Sequence, residues 1–495
     1  MQFVARQALV LDCDLFDGRA FQYGPACAVA KGAHNRFLVY YPLGSGKTLS
    51  ALHAARTFLE TQPEGHIIVI TTKSNTDTTW PANISLYLEH VSDVRDRIQL
   101  ANVYNIDWWF SQDNDFVGHY NRLIQALSKH VTRQHLIQQP PDMLIRYTRQ
   151  YKLENERRRF RTALTKAQTR QTMLQATIPP FPFMLIVDEC QEYLNLSAQS
   201  LLVHALADAA QSTLLLTATP LNDKRQYFSL LTMMGTRRLA QAVLWTNEAA
   251  EKPVVVDRGI ERVPLTPEEW SAHQRQKGQD DAYYARSRQE CNGHSKWSAM
   301  ADQIESDIAK ATSPIRIVVY SFFRDRGADG FFDFLRDRYR GSVNSHRHLK
   351  YKLGANTVRV SKMGAKTLKW FNKPTSRCKI ILLTSKAGKG ISLKNVYSFH
   401  LMEPQWSFAD EAQAIGRCTR KGSHDLVDPQ VRVTRWMAVG PGTRQRSADQ
   451  RVHASMLDKK RATDPLNLRL AKAGKKHLDD LLKEFHRAQV VHTVK

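Results

Sequence analysis

The chain has 495 residues, 42% of them hydrophobic, and its 71 Lys and Arg against 47 Asp and Glu give a net charge of +24. That length accommodates two or three domains with cores of their own, and no run approaches the roughly 18 apolar residues of a membrane span. Six scattered cysteines form no disulfide framework, and their one metal-like spacing is the isolated pair Cys291 and His294, so a small secreted scaffold is excluded. A reducing, intracellular setting without a structural metal is expected. The basic balance favours a polyanionic partner.

Residues 1–36 are a mixed lead-in. Asp12 and Asp14 interrupt its short apolar run, so no signal peptide is expected. Phe21-Gln22-Tyr23 either flanks an adenine or packs a helix. Phe37 to Tyr41 then reads as a buried strand, followed by a turn at Gly44-Ser45-Gly46 and a helix carrying Leu49, Ala51, Leu52, Ala55 and Phe58. Strand, glycine turn, Lys47-Thr48 and helix make a phosphate cradle: backbone N–H groups and the helix dipole face the anion. Lys47 would reach the β/γ-phosphates of ATP and the Thr48 hydroxyl would ligate Mg²⁺. Tyr41 stands where the full pattern has glycine.

Gly65 to Thr72 is a continuous apolar strand ending in hydroxyl residues, and Trp80-Pro81 opens a new element. Arg97 to Tyr104 is a further short strand. The cluster Trp108-Trp109-Phe110 suits either base stacking or packing. Residues 112–180 form a helix-prone insertion in which Glu154 to Arg170 is dominated by arginine; the run is either a solvated helix face or a nucleic-acid contact. Phe183 to Val187 is a buried strand ending in Asp188 and Glu189, carboxylates at the edge where open α/β sheets bind ligands. Asp188 would hold Mg²⁺, and Glu189 would orient or deprotonate the attacking water. Leu214 to Leu221 is another buried strand, with Thr217 and Thr219 at its end. The alternation of strands and helices predicts one doubly wound lobe over 1–240.

Residues 241–313 read as a polar, helical bridge, and strands at Ile315–Ser321, Lys379–Ser385 and Tyr397–Met402 predict a second lobe over 314–440. From Arg338 to Met402 no acidic residue occurs in 65 positions that hold 15 Lys and Arg. Lys362, Lys366, Lys369, Lys373, Lys386 and Lys389 in this window are the expected nucleic-acid contacts. A helix from about Asp410 would present Gln413, Arg417 and Arg420 on one face, bidentate donors suited to a transferring phosphate. Residues 441–495 read as a helical tail.

These motifs, in this order, resemble the superfamily 2 helicase-like ATPases, built on two RecA-like lobes. Gly44 to Thr48 resembles their phosphate loop, Asp188-Glu189-Cys190-Gln191 their acidic box, Thr217-Ala218-Thr219-Pro220 their coupling motif and Gln413 to Arg420 their arginine-finger helix. The string Ser385 to Val396, with Gly388 and Gly390 as coupling residues, is similar to the Swi/Snf-like branch. So are Met402 to Trp406 and Gln413 to His424. Within that branch the likeness is to the large-DNA-virus NTPases of the poxvirus nucleoside triphosphatase I and early transcription factor small-subunit type. Lys389 replaces a more usual glutamate, Phe408 a proline, and Gln191 a histidine. The resemblance implies a DNA-dependent ATPase that translocates on DNA in viral transcription, with an RNA polymerase as partner, in virion and host cytoplasm. A strand-separating DNA or RNA helicase, and a non-catalytic nucleic-acid-binding or packaging protein, are the alternatives.

Overall fold

The computed structural model describes residues 20–32, 35–72, 75–76, 79–88, 97–102, 123–136, 139, 141–162, 181–195, 198–246, 254–276, 281–340, 342–345, 348–364, 366–374, 377–385, 391–419, 423–425, 429–442 and 445–493. Two α/β lobes hold most of these residues. The first is built on β1 (Arg36–Tyr40), β2 (His66–Thr71), β3 (Ile98–Asn102), β4 (Phe183–Asp188), β5 (Ser212–Thr217) and β6 (Val243–Trp245), in the order β3-β2-β4-β5-β1-β6. Every pairing in it is parallel. β4 and β5 are buried at every position, as strands covered by helices on both faces must be. The lobe is doubly wound and RecA-like.

The second sheet comprises β7 (Val254–Pro264), β8 (Arg316–Ser321), β9 (Ser342–Ser345), β10 (His348–Leu353), β11 (Asn356–Lys362), β12 (Cys378–Thr384), β13 (Ser398–Leu401) and β14 (Gln430–Val439). Their order is β7-β14-β13-β8-β12-β11-β10-β9, parallel except where β10 pairs antiparallel with β9 and β11. The stretch 241–313, expected as a helical bridge, thus gives β6 to the first sheet and β7 to the second before its helices begin at Pro267. β7 is an edge strand exposed along most of its length, so it lacks the continuous apolar run that marks a central strand. Of the insertion expected over 112–180, the described helical part lies within 123–162.

The tail is one helix, Ala448–Thr493, with Pro465 inside it. Its first turn belongs to the second lobe. The Lys296 ammonium donates to Asp449 at 2.6 Å, to the Asn292 carbonyl oxygen at 3.0 Å and to the Met402 backbone at 3.1 Å, all of it buried. Removing one partner of a buried pair costs about 3–5 kcal/mol. Further along, the same helix serves the first lobe. Leu470 joins the core on one face of that sheet, and Leu478 and Leu481 join the core on the other. A Cβ on Gly474 would stand 2.7 Å from side-chain atoms of both Val243 and Trp245, so glycine is what lets this helix lie directly on β6.

Candidate nucleotide site at the lobe interface

The phosphate loop sits between β1 and the helix Lys47–Thr61. Gly44 and Gly46 have φ of 77° and 87°, left-handed values that glycine adopts without cost. Gly46 precedes the helix and no side chain caps its first turn, so the helix start presents N–H donors to an anion. The Lys47 ammonium lies 3.2 Å from the carbonyls of Tyr41 and Pro42, folded over the loop. Tyr41 is tolerated in place of glycine because its side chain turns away from the loop. The ring is buried and its hydroxyl donates to the Phe21 carbonyl at 2.8 Å. Gln22 donates to the Ser45 carbonyl at 2.8 Å and so braces the loop from behind. Phe21 packs edge-on against Tyr41 and Tyr23 against His53, which makes these aromatics core residues.

Asp188 ends β4, and three donors converge on its Oδ2: the Thr71 hydroxyl at 2.8 Å, the Trp80 indole at 3.2 Å and the Asn75 amide at 3.3 Å. Sequence reasoning singled out none of the three for this task. The one local signal is that β2 ends in hydroxyl residues beside β4. Glu189 follows in a left-handed conformation, φ 52° and ψ 50°, uncommon for a residue with a Cβ and characteristic of strained functional positions. Burial, then the Asp188 charge, raises its carboxyl above the ordinary glutamate range, while Lys47 and the Gln191 amide oppose the shift.

A hydrogen-bond chain runs from this carboxylate into the rest of the site. Gln191 Nε2 donates to Glu189 Oε2 at 2.8 Å, and Gln191 Oε1 accepts from the Thr217 hydroxyl at 2.6 Å. The Thr217 oxygen in turn accepts from the Thr219 N–H at 2.9 Å. From the second lobe, Gln413 Nε2 approaches the same Glu189 oxygen at 3.4 Å. One carboxylate oxygen therefore receives donors from both lobes.

Ser407 caps the helix Phe408–Ile415, its side chain accepting from the Asp410 N–H at 3.1 Å. The helix ends at Ile415, so Gln413 and Arg417 do not share one continuous helical face as expected. Gly416 closes the helix, and a Cβ there would meet Leu43 of the phosphate loop at 3.0 Å. Arg417 follows in a tightened turn, bonding back to Ala414 at 3.3 Å, with its side chain buried. Arg420, Gly388, Gly390, Lys386 and Lys389 lie outside the described residues.

The expected basic surface is thinner than the sequence count. Lys362 pairs with Asp329 at 3.2 Å and lies over the Phe332 ring, so it is not an outward-facing cation. Arg338 pairs with Asp302 and Glu305, acids that precede the acid-free window in sequence and meet it in space. Lys379 is buried against the carbonyls of Trp370, Phe371 and Lys373, and burial lowers its pKa to about 8. Lys366, Lys369 and Lys373 are exposed.

Residues 307–422 match the helicase conserved C-terminal domain, a match that takes in the helix carrying Gln413 and the turn carrying Arg417. Over that segment the chain is similar to helicases. An Acanthamoeba polyphaga mimivirus protein bearing the name of an ATP-dependent RNA helicase is 28% identical over 28% of this chain and 29% of its own length. An uncharacterized helicase of the Kluyveromyces lactis killer plasmid pGKL-2 is 25% identical over 50% of this chain and 45% of its own. The chain thus spans less than half the length of these curated relatives. The Pyrococcus furiosus Hef helicase domain is 12% identical, with a TM-score of 0.45 over 87% of this chain and 97% of that one. Among the described residues no helix is long and apolar enough to cross a membrane.

Proposed function

We propose that this helicase-like protein is a nucleic-acid-dependent ATPase that translocates on DNA. The observation that carries the reading is the meeting of Gln191 and Gln413, one from each lobe, on a single oxygen of the half-buried Glu189. A hydrolytic base wired to both lobes is what a motor needs, because relative movement of the lobes then changes the chemistry.

The residues present fit ATP and Mg²⁺: two left-handed glycines, an uncapped helix start and Lys47 for phosphate, and the hard oxygen donors Thr48 and Asp188 for the metal. Bound there, Mg²⁺ would neutralise charge on the phosphate oxygens. Thr71, Asn75 and Trp80 fix the Asp188 carboxylate through its Oδ2. Glu189, with its raised pKa, accepts the proton of the attacking water. Arg417 supplies positive charge from the second lobe as charge builds in the transition state. Its setting in viral transcription, beside an RNA polymerase, is part of the proposal; the mimivirus relatives support the viral element alone.

The deciding experiment is ATP hydrolysis with single-stranded DNA, duplex DNA and RNA, using Glu189→Gln as control. Duplex DNA should stimulate turnover without strand displacement. Arg417→Ala should lower kcat by about 10³-fold while ATP still binds. Stimulation by RNA alone would replace DNA with RNA as the track. Strand displacement would make the protein an unwinding helicase, and absence of any hydrolysis would leave a nucleic-acid-binding protein.

A further inference from the structure

The insertion between β3 and β4 is a small domain in its own right. Leu123, Ile124, Leu127, Leu136, Leu144, Ile145 and Phe160 form a core that shares no residue with either lobe. Within it the helix Pro141–Gln150 turns at Lys152, φ 55°, directly into a second helical stretch over 154–162. Residues 123–162 hold nine Lys and Arg against three Asp and Glu. The domain leaves the first sheet from β3, its edge strand.

We infer that this insertion is a second nucleic-acid-binding surface, gripping the phosphate backbone through Arg146, Arg149, Arg158, Arg159 and Arg161. All five are exposed, and among the described residues no ion pair holds any of them. A helix face kept basic merely for solubility interleaves both signs and forms pairs one turn apart. Here, among the described residues, Arg157 alone does so, with Glu154. The exposed cations on these two helices are arginines apart from Lys152, and guanidinium forks grip phosphate oxygens bidentately where lysine offers a point charge. On the first helix Arg146 and Arg149 stand one turn apart, opposite the buried Leu144, Ile145 and Thr148. On the second, Glu154 and Glu156 occupy the first turn, which excludes phosphate from that helix start and leaves contact to the arginines beyond. No groove-reading side chain is needed, so the grip is independent of sequence.

The inference rests on the nucleic-acid reading above, and one titration separates the two. Binding of a short labelled DNA duplex is followed by fluorescence anisotropy from about 50 to 200 mM salt. The proteins compared are the wild type, Arg158→Ala/Arg159→Ala/Arg161→Ala, and the corresponding triple lysine variant. The alanine variant should bind at least tenfold more weakly, with a salt slope shallower by about 0.9 per lost contact, hence by about 2.7 if all three touch phosphate. The lysine variant should keep the slope, and ATP hydrolysis without nucleic acid should be unchanged in both. Equal affinity and slope in the alanine variant overturn this inference while the motor reading stands. A wild type that binds neither DNA nor RNA overturns both. Loss of binding to polyglutamate with DNA binding intact would instead assign the surface to an acidic protein.

Discussion

Replacing Thr217 by valine tests whether the chain from Thr219 to Glu189 is part of catalysis. The change is nearly isosteric and fully buried, so packing is kept and only the hydroxyl is lost. Two groups lose their partner: the Gln191 Oε1, bonded at 2.6 Å, and the Thr219 N–H, bonded at 2.9 Å. An orphaned buried polar group costs about 1–3 kcal/mol, so the melting temperature should fall. Gln191 cannot recover by flipping its amide, because that would turn its oxygen toward the Glu189 carboxylate. It should therefore drift, weakening a charge-assisted hydrogen bond worth about 1.5–3 kcal/mol. Expressed as rate, that is about a tenfold to hundredfold fall in kcat, with KM for ATP unchanged because Lys47 and the loop glycines are untouched. Steady-state hydrolysis with and without duplex DNA measures it. A valine variant with a lowered melting temperature and an unaltered kcat would refute the catalytic role and leave the chain as scaffolding.

Three further outcomes are expected. Glu189→Gln should abolish turnover yet raise the melting temperature at neutral pH. The folded-state pKa of Glu189 is raised, so its contribution to stability is present at low pH and lost as pH rises through that value. The advantage of glutamine should accordingly vanish in melts run below the ordinary glutamate pKa. Gln191→His should keep activity near pH 8, since a neutral imidazole also offers one donor to Glu189 and one acceptor to Thr217. It should add a new acidic limb to the rate profile near the histidine pKa of about 6.5; a profile identical to wild type would count against the relay. Gly474→Ala should destabilise, although alanine in a helix normally gains about 1 kcal/mol over glycine. The new Cβ would meet side-chain atoms of Val243 and Trp245 at 2.7 Å and the Trp245 backbone nitrogen at 2.9 Å, and such overpacking costs about 1–3 kcal/mol. A raised melting temperature would contradict this close approach.

What the sequence made legible was whatever chemistry is local. Lys47 after a glycine turn, Asp188 and Glu189 at the end of a buried strand, and Thr217 at the next strand end each carry their signal within ten residues. The residues that aim these groups come from elsewhere. Trp80 and Thr71 reach Asp188 across 108 and 117 residues, and Gln413 reaches Glu189 across 224. No periodicity encodes such meetings. β14 and β7 escaped notice for another reason: Arg432, Arg435, Asp257 and Glu261 interrupt them, polar residues proper to strands at or near a sheet edge. The tail read only as helical because its leucines declare a buried face but not which lobe buries it.

That tail sets an order of assembly. All six strands of the first lobe are made by Trp245, yet Leu470, Leu478 and Leu481, which complete the cores on both faces of its sheet, are made only after the entire second lobe. At roughly 5–20 residues per second, the stretch from Trp245 to Leu478 takes about 10–50 s to synthesise. Throughout that interval the first lobe carries an open apolar seam beside β6. The lobe translated first is therefore the lobe finished last, and an N-terminal fragment ending before the second lobe would retain the phosphate loop while lacking part of the core beneath it.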